Sequence, residues 1–373
     1  MLNILHINAN YLDSKLHQSM IDRLQLQNVS NSVFVPIYSL LNHLVDAKSY
    51  VNAKICFKKF DRLFFYHKQR KIQKTIESLY DLKSFTLLHA HTVFTDGNVA
   101  RNLYKKFGIP YIVAVRNTDV NVFFKYMFHL RNRGISVLLD AKAVVFLSPS
   151  YRDLVLNKYI PLKYRNEILS KSFIIPNGID DFWHNNKNNL KEKNIDFYEE
   201  LKIVYAGDID SNKNLLLTCK AIDILKQEGI NVDFTVAGRI VNKDEFSKIS
   251  NYVNYVGIKN KEELLQIYRK SHLFIMPSHT ETFGLVYAEA MSQGIPVLYT
   301  KGQGFDGQFP EGEVGYSVDD YNFLDIVEKI KSILNRYDEI QKKCIVNVDK
   351  FRWDKICEEY KKIYLSIQNQ EYV

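Results

Sequence analysis

The sequence predicts an α/β fold made of two parallel-sheet domains, and three observations support this prediction. Short, uninterrupted apolar runs alternate along the chain with longer helical patterns, which is typical of βαβ units. The chain has 373 residues, enough for about two domains of ordinary size. Its residues are 46% hydrophobic and 25% charged, a composition that excludes a disordered chain.

In the amino half, apolar runs predict strands that each end in a polar loop. The first loop, over 8–14, contains no glycine. A helix over 98–107 ends at Gly108, and the segment over 174–180 closes the series. The predicted strands of this half cover 2–7, 33–36, 87–91, 110–115, 143–147 and 174–180.

In the carboxyl half, the polar stretch over 181–200 predicts a linker. Strands are predicted over 202–206, 232–238 and 255–258, with helices over 215–227 and 261–271. A terminal helix from about residue 351 carries Trp353, Ile356, Tyr360 and Tyr364 on one apolar side.

The clearest βαβ unit lies in 273–300. Leu273–Met276 is an apolar run closed by a proline, which predicts a buried strand. Thr282 is a candidate N-cap for a helix over 283–293. A glycine and a proline then end the helix, and 296–299 is the second predicted strand.

Two carboxylates flank the start of that helix: Glu281 in the entry loop and Glu289 on the second turn. Between them, Phe283, Gly284 and Leu285 present backbone N–H groups at a helix N-terminus, which is a ready site for a phosphate. Because Gly284 has no side chain, a ligand can approach the backbone closely. An acid beside a phosphate site suits a ligand that also carries hydroxyls. The alternative is a buried βαβ unit whose two glutamates are simply solvated.

The string over 277–297, Pro-Ser-x-x-Glu-x-Phe-Gly-Leu-x-x-x-Glu-Ala-Met-x-x-Gly-x-Pro-Val, resembles the retaining GT-B glycosyltransferases of family 4. Ile-Ile-Pro-Asn-Gly-Ile-Asp over 174–180 is a second marker of that family. The resemblance implies two doubly wound Rossmann-like domains facing across a cleft. It divides the chain into an acceptor-side domain over 1–178, a nucleotide-sugar-binding domain over 179–350 and a helix over 351–373 that crosses back to the first domain.

The resemblance also implies a reaction. A sugar passes from a nucleotide diphosphate-sugar, a UDP-sugar by expectation, to a lipid-linked or saccharide acceptor in surface polysaccharide (capsule) biosynthesis. The anomeric configuration is retained, and neither a cofactor nor a metal is expected. In the family, the residue matching Glu281 faces the donor sugar, the one matching Glu289 holds the ribose hydroxyls, and the amides of Phe283, Gly284 and Leu285 meet sugar and diphosphate.

The loop after the strand over 202–206 carries further donor-side candidates. Relatives usually have Gly-Arg here with a Lys six residues after the Gly, so Gly207 and Lys213 keep the pattern while Asp208 replaces the Arg. We therefore expect the diphosphate to be held by Lys213, the helix amides and Arg239. By resemblance, the backbone at Ile258 meets the base.

Two acids in the same loop, Asp208 and Asp210, also spell the DxD metal motif of another glycosyltransferase fold. Three letters make a weak match, and the surrounding Gly and Lys spacing favours the metal-free interpretation.

On the acceptor side, the loop over 92–97 follows a predicted strand at the edge where α/β sheets bind ligands. The resemblance makes His91 and Asp96 acceptor-side candidates. His89 and His91 point the same way on a strand, but the sequence shows no further ligands for a zinc site. Arg116, where relatives often have a His, stays protonated and cannot act as a base, so we expect it to hold a donor oxygen or to pair with Asp119.

Charge is divided unevenly. Residues 1–178 hold 25 Lys and Arg against 11 Asp and Glu, whereas residues 179–373 hold 25 against 31. No nucleic-acid-binding motif is present, so an anionic membrane surface is the preferred partner of the basic half. Basic residues alternate with aromatic ones over 48–74 and again over 123–133, which suits contact with headgroups. The alternatives are an aromatic stripe that packs in the core and a soluble acceptor.

Localisation follows from what the sequence lacks. No apolar run approaches the roughly 18 residues of a membrane span, and Met1–Ile7 is too short for a signal peptide. The four cysteines show no paired spacing, which suits reduced thiols. We expect a cytoplasmic protein, peripheral on the inner face of the cell membrane. Two other functions stay open: a nucleotide-sugar-binding protein without transferase activity, and an epimerase or phosphorylase of the same architecture.

Overall fold

The computed structural model describes residues 2–12, 15–39, 48–188 and 200–370. The chain forms two compact units. Unit 1 comprises Met1–Leu147, Tyr151–Gly178 and Trp353–Val373, and unit 2 comprises Ser148–Ser150 and Ile179–Arg352.

Unit 1 is built on a parallel sheet of seven strands in the order β3-β2-β1-β4-β5-β6-β7. The strands are β1 (Asn3–Ile7), β2 (Ser30–Ile37), β3 (Val51–Ile55), β4 (Leu87–Ala90), β5 (Tyr111–Val115), β6 (Ala143–Phe146) and β7 (Ser172–Ile174). The order reverses between β1 and β4, and such a reversal is called a switch point. Ligands of open α/β sheets bind at the carboxyl ends of the strands at this place.

Helices cover both faces of this sheet. They are α1 (Lys15–Leu26), α2 (Phe65–Leu79), α3 (Asn98–Phe107), α4 (Phe128–Asp140), most of α5 (Pro149–Lys158), α6 (Leu162–Ser170) and the terminal α14 (Trp353–Gln370). Successive strand residues face opposite sides, so Ile4 packs with α1 and α14 while Leu5 belongs to the core on the other face. The apolar side of the terminal helix therefore completes the core of unit 1.

Unit 2 is built on a parallel sheet of six strands in the order β10-β9-β8-β11-β12-β13, with its switch point between β8 and β11. The strands are β8 (Leu201–Ala206), β9 (Val232–Ala237), β10 (Asn254–Gly257), β11 (Leu273–Met276), β12 (Val297–Thr300) and β13 (Gly315–Val318). The helices are α7 (Asp181–Asn185), α8 (Leu215–Gln227), α9 (Lys243–Ile249), α10 (Lys261–Lys270), α11 (Leu285–Ser292), α12 (Phe323–Leu334) and α13 (Tyr337–Asn347). The strands at the switch point are almost wholly buried.

The predicted α/β class with two parallel sheets is confirmed, and three local predictions are corrected. The segment over 174–180 is mostly irregular, because the strand Ser172–Ile174 ends before Pro176, which has no N–H to donate. The edge strand Val51–Ile55 was not predicted. Asp181–Asn185 is helical within the predicted linker, capped by Asp180, and residues 189–199 of that linker lie outside the described residues.

A fourth correction concerns Thr282, which is not an N-cap. The helix begins two residues later, at Leu285, and its N-cap is Gly284 with φ of +72°. This left-handed conformation is open to glycine at little cost and turns the chain sharply into the helix.

Two further findings concern membrane-spanning helices and cysteines. Within the described ranges, no helix is both long enough and apolar enough to span a bilayer. All four cysteines are free thiols.

Candidate functional site

The switch point of unit 2 brings together two of the predicted site residues. Lys213 follows β8 and Glu281 follows β11, and these strands are neighbours in the sheet. The Lys213 Nζ lies 2.7 Å from Glu281 Oε2, and the two side chains are only 19% and 14% exposed. An ammonium group and a carboxylate thus meet at the sheet edge where a ligand of this fold class binds.

Polar contacts from two other loops hold the Glu281 segment in place. The Asn212 side chain accepts from Thr280 N at 3.0 Å and donates to Thr280 O at 2.9 Å. Glu281 N donates to Gln303 Oε1 at 3.0 Å, and Gly304 N donates to Glu281 O at 2.9 Å. A Cβ at Gly304 would lie 1.7 Å from a backbone oxygen of this segment, so only glycine permits the contact. The position of the Glu281 carboxylate is therefore fixed by residues that the sequence analysis did not identify.

Helix α11, which follows Glu281, begins with backbone N–H groups that no side chain caps. No side chain caps α11, because its N-cap is Gly284. Phe283 is buried in the hydrophobic core of unit 2, while Gly284 and Leu285 are only partly buried. The first N–H groups of a helix have no intrahelical acceptor and carry partial positive charge. This helix end can accept an anionic group beside the Lys213 ammonium.

Glu289 lies on the second turn of α11 and is partly buried. Burial raises the pKa of its carboxyl to about 7, while the Lys261 ammonium and the Trp183 side chain act in the opposite direction. Lys261 itself forms an ion pair with Asp180. A carboxylate with a pKa in this range accepts hydrogen bonds from hydroxyl groups when ionised and gains from them in a poorly solvated position.

At the neighbouring strand ends, Arg239 lies beside the unexpected acid Asp208. The guanidinium donates to the carboxylate through Nη2 at 2.7 Å and Nε at 3.2 Å, and this contact raises the pKa of Arg239. Gly207 connects β8 to Asp208, and the exposed Ile258 follows β10. Asp210 accepts from Lys213 N at 3.1 Å and so caps the turn before α8. Both acids of the DxD string therefore have protein partners.

The two acceptor-side candidates at the switch point of unit 1 are buried. His91 and Asp96, the two acceptor-side candidates, have no exposed surface. The Asp96 carboxylate accepts from Ala9 N at 3.2 Å and from the Thr92 hydroxyl at 3.0 Å, and burial raises its pKa to about 7. An acceptor-side role for either residue stays a prediction.

Arg116 lies at the end of β5, and its guanidinium Nη1 donates to Asn177 Oδ1 at 3.1 Å. Asp119 accepts instead from the backbone: from Arg116 N at 2.9 Å, Val93 N at 3.0 Å and Phe94 N at 3.2 Å. Burial raises the pKa of Asp119 to about 6 despite these bonds. The three bonds tie the loop after β4 to the loop after β5.

The structure also adds a histidine that the sequence analysis missed. His6 and His89 are paired residues in the parallel register of β1 and β4, and His91 is the first residue after β4. The three are fully buried together. The signal available in the sequence was the position of His6 near the end of an apolar run, which aligns it with His89 once the two strands are placed side by side.

Comparison with known proteins relates this geometry to a family. Residues 186–351, which lie in unit 2, match the family model of glycosyl transferases group 1. An uncharacterized glycosyltransferase of Methanocaldococcus jannaschii is 24% identical over 331 residues, covering 82% of each chain. The capsular polysaccharide biosynthesis glycosyltransferase CapM of Staphylococcus aureus is 26% identical over 57% of each chain.

Solved structures share the architecture of the whole chain. Sucrose-phosphate synthase from Thermosynechococcus elongatus matches with a TM-score of 0.73 at 16% identity, covering 98% of this chain and 99% of the other. HepE of Anabaena in complex with UDP matches with a TM-score of 0.73 at 14% identity, covering 98% of this chain and 100% of the other. The lipopolysaccharide outer core galactosyltransferase WaaB matches with a TM-score of 0.74 at 12% identity, covering 98% and 99%. The matched segment, the relatives and the shared fold together support a glycosyltransferase of GT-B architecture.

Proposed function

We propose that this protein transfers a sugar from a UDP-sugar to a lipid-linked or saccharide acceptor in surface polysaccharide biosynthesis, with retention at the anomeric carbon and without a divalent metal. The names of two similar proteins support parts of this proposal. CapM belongs to capsular polysaccharide biosynthesis, and HepE has been solved with UDP and with UDP-glucose. The observation that carries the proposal is the convergence of Lys213, Glu281 and the uncapped start of α11 at the switch point of unit 2.

For the donor, we assign the diphosphate to the Lys213 ammonium and to the amides at Phe283, Gly284 and Leu285. The Glu289 carboxylate then holds the ribose hydroxyls one turn further along the same helix. In this arrangement the Glu281 carboxylate accepts from hydroxyls of the donor sugar. Lys213 gives up part of its contact with Glu281 when the phosphate arrives, so the ion pair keeps both side chains in place before binding.

For the chemistry, the acceptor hydroxyl oxygen forms the new bond to the anomeric carbon on the face from which the phosphate leaves. The bond between that carbon and the β-phosphate oxygen breaks, and the proton of the acceptor hydroxyl passes to the departing phosphate. Negative charge grows on the phosphate during this step. Preorganised donors aimed at developing charge, here the Lys213 ammonium and the helix amides, lower the barrier. Arg116 is assigned a contact with a donor oxygen.

For the acceptor, we propose that unit 1 rests on an anionic membrane. The exposed side chains over 54–74 include both apolar and basic ones: Ile55, Phe60, Leu63, Phe64 and Tyr66 with Lys54, Lys58, Lys59, Arg62, Arg70 and Lys74. Phe57 points inward, and Phe65 packs against the core, so only part of the aromatic stripe is core. Each basic residue near an anionic surface contributes about 1 kcal/mol of attraction.

A cavity of about 330 Å³ lies beside these residues within unit 1. Its lining includes Arg62 and Lys68, whose charged groups lie 4.4 Å above the Tyr38 ring and 4.7 Å above the Phe57 ring. Cationic and aromatic groups side by side suit the head of a phosphorylated amphiphile. This chemistry suits an acceptor that carries a phosphate, as the proposed lipid-linked acceptor does.

The test of the proposed reaction is UDP release with a panel of UDP-sugars, measured with and without lipid-phosphate acceptors and in the presence of excess chelator. We expect acceptor-dependent release that the chelator leaves largely intact, and a product whose anomeric configuration, determined by NMR, equals that of the donor. Release that needs added manganese would favour the DxD interpretation. Tight UDP binding without release for any pair would favour a binding protein.

The membrane part is tested separately by flotation with anionic and neutral liposomes. We expect binding to anionic liposomes that fades between 0.1 M and 1 M salt, since the Debye length falls from about 10 Å to about 3 Å. Equal binding to both kinds of liposome, or to neither, would contradict the membrane proposal alone.

A further inference from the structure

Three histidines from two neighbouring strands meet inside unit 1. His6 is the last but one residue of β1, His89 is the last but one residue of β4, and His91 is the first residue after β4. One ring nitrogen from each lies within 4.8 Å of one from both others, and none of the three side chains is exposed. The His89 and His91 rings are stacked with centroids 4.2 Å apart.

Two of the three rings are each held through one nitrogen by a residue outside the cluster, and their other nitrogens face the cluster. Asn31 Nδ2 donates to Val29 O at 2.7 Å, so Asn31 Oδ1 is the acceptor for His6 Nε2 at 2.9 Å. His6 therefore carries its proton on Nε2 and presents the lone pair of Nδ1. Similarly, His89 Nδ1 lies 2.8 Å from the Tyr364 hydroxyl, and His89 Nε2 has no partner in the part of the chain that the structure describes.

His91 supplies the third ring of the cluster. His91 Nε2 lies 3.0 Å from His6 Nδ1, and His91 Nδ1 has no partner among the described residues. One shared proton satisfies only the contact between His6 and His91. It leaves His89 Nε2 and His91 Nδ1 buried without a hydrogen bond, which native proteins rarely tolerate.

We propose that His6, His89 and His91 bind one transition-metal cation of the zinc type. Imidazole nitrogens are ligands that Zn²⁺ and its neighbours prefer. A metal-ligating histidine typically holds its other nitrogen in a hydrogen bond, as Asn31 and Tyr364 do here for His6 and His89. Because Tyr364 belongs to α14, the site would join two strands of the sheet to the terminal helix, and its role would be structural.

One charged group bears on the affinity of this cluster. The Arg116 charge acts on His89 and His91 and repels a cation, so we expect weaker binding than at zinc sites with carboxylate or thiolate ligands. His17, whose ring centroid lies 5.0 Å from that of His91, is the nearest further imidazole.

The test of this site uses no sugar nucleotide, so its outcome does not depend on the proposed transfer reaction. Protein made without a polyhistidine tag is stripped with chelator and titrated with Co²⁺, followed by its visible absorption, and with Zn²⁺ against a chromophoric chelator. We expect about one bound equivalent and a higher thermal midpoint with metal. His6→Gln and His89→Gln should lose the cobalt absorption, and Tyr364→Phe should weaken binding through its effect on the orientation of His89.

The matched control is His129→Gln, because His129 is exposed on α4 and should leave stoichiometry and absorption unchanged. Circular dichroism checks that the variants are folded. The proposal fails if the wild-type protein binds neither ion and its thermal midpoint does not move, a test that needs no variant. It also fails if metal binds equally well to wild type, His6→Gln and His89→Gln.

Discussion

The two units contain the same kind of sheet edge, but they use it in opposite ways. At the switch point of unit 2, Lys213 and Glu281 form a partly exposed ion pair beside an uncapped helix end. At the switch point of unit 1, His91 and Asp96 follow β4 and are buried, as is Asp119 after the neighbouring strand β5.

The hydrogen-bond partners differ in the same way. In unit 1 the carboxylates of Asp96 and Asp119 accept two and three hydrogen bonds, respectively, from N–H and hydroxyl donors of their own unit. In unit 2, Glu281 holds a cation, and the amides at Gly284 and Leu285 lie at a helix start without a side-chain cap. A shared topology thus supplies a place for a ligand, whereas the polar partners decide whether that place binds a ligand or stabilises the fold.

The largest expected effect concerns Lys213. Lys213→Ala removes the ammonium group that faces the leaving phosphate, and losing one such preorganised donor costs about 10²–10³ in kcat. The rate of UDP release under saturating donor measures the loss. Lys248→Ala is the control, because Lys248 pairs with Glu245 on the exposed side of α9. A Lys213→Ala rate within threefold of wild type, roughly 0.7 kcal/mol, would remove Lys213 from the chemical step.

The next prediction separates the folding of unit 1 from the binding of the donor in unit 2. Asp119→Ala leaves three backbone N–H groups without their acceptor, and a buried unsatisfied donor costs about 1–3 kcal/mol. Part of this cost is offset because a buried carboxyl is removed. We expect a net loss of about 3 kcal/mol, which for a domain of this size lowers the thermal midpoint by about 6–12 °C.

UDP affinity of Asp119→Ala, measured by calorimetry well below the new midpoint, should equal that of wild type. Asp153→Ala, which removes an exposed partner of Arg152, is the control and should shift the midpoint little. A normal midpoint for Asp119→Ala, or a lost UDP affinity, would break the division between a structural and a binding switch point.

Glu289 gives a smaller effect with a characteristic pH dependence. Glu289→Gln weakens charge-assisted hydrogen bonds to hydroxyls, worth about 1.5–3 kcal/mol each, so UDP affinity should fall by roughly tenfold to a hundredfold. Since burial raises the pKa of Glu289 to about 7, the carboxyl of the free protein is increasingly protonated below pH 7 and ionised above it. Wild-type affinity should therefore rise from pH 6 to pH 8 more steeply than that of Glu289→Gln.

Calorimetry at three pH values with the same nucleotide measures this difference, and the titration of UDP itself cancels between the two proteins. Identical pH profiles would show that Glu289 is not the ribose ligand.

The raised pKa of Glu289 affects the stability of the fold in the opposite direction from its effect on UDP affinity. The folded state keeps a proton that the unfolded state releases between about pH 4.5 and 7, so this group lowers stability as pH rises through that range.

The smallest expected effect belongs to Arg239 and Asp208. Arg239→Ala should weaken UDP binding severalfold, because it removes a cation and leaves the Asp208 charge near the diphosphate. Asp208→Ala should leave binding unchanged or strengthen it, because Arg239 is then released from its partner. The side chains of Arg239 and Asp208 are 65% and 44% exposed, so neither change should move the thermal midpoint much. Calorimetry that shows the two variants shifting affinity in the same direction would refute the assignment.

The sequence predicted the features that depend on neighbouring residues better than those that depend on contacts between distant parts of the chain. Strand Leu273–Met276 and helix Leu215–Gln227 follow from local periodicity and were predicted. Strand Val51–Ile55 was missed, because an edge strand with polar Asn52 and Lys54 lacks the apolar run of a buried one. The start of α11 was placed two residues early, since Thr282 has cap chemistry and the left-handed turn at Gly284 is a backbone property.

The candidate site shows the same limit. A local string identified Glu281 and Glu289, whereas the support from Asn212 and Gln303 comes from loops far apart in sequence. His6 was missed for the same reason, because its contact with His91 depends on the pairing of strands separated by about 80 residues. Polar contacts of this kind leave no periodic pattern.

Hydrogen–deuterium exchange with and without UDP tests the central claim most directly, because it reports on both switch points in one experiment. We predict that UDP protects amides over 207–214 and 283–290 in unit 2 and leaves those over 89–97 in unit 1 unchanged. Protection confined to 89–97, or none over 283–290 at saturating UDP, would contradict the assignment of the donor to unit 2.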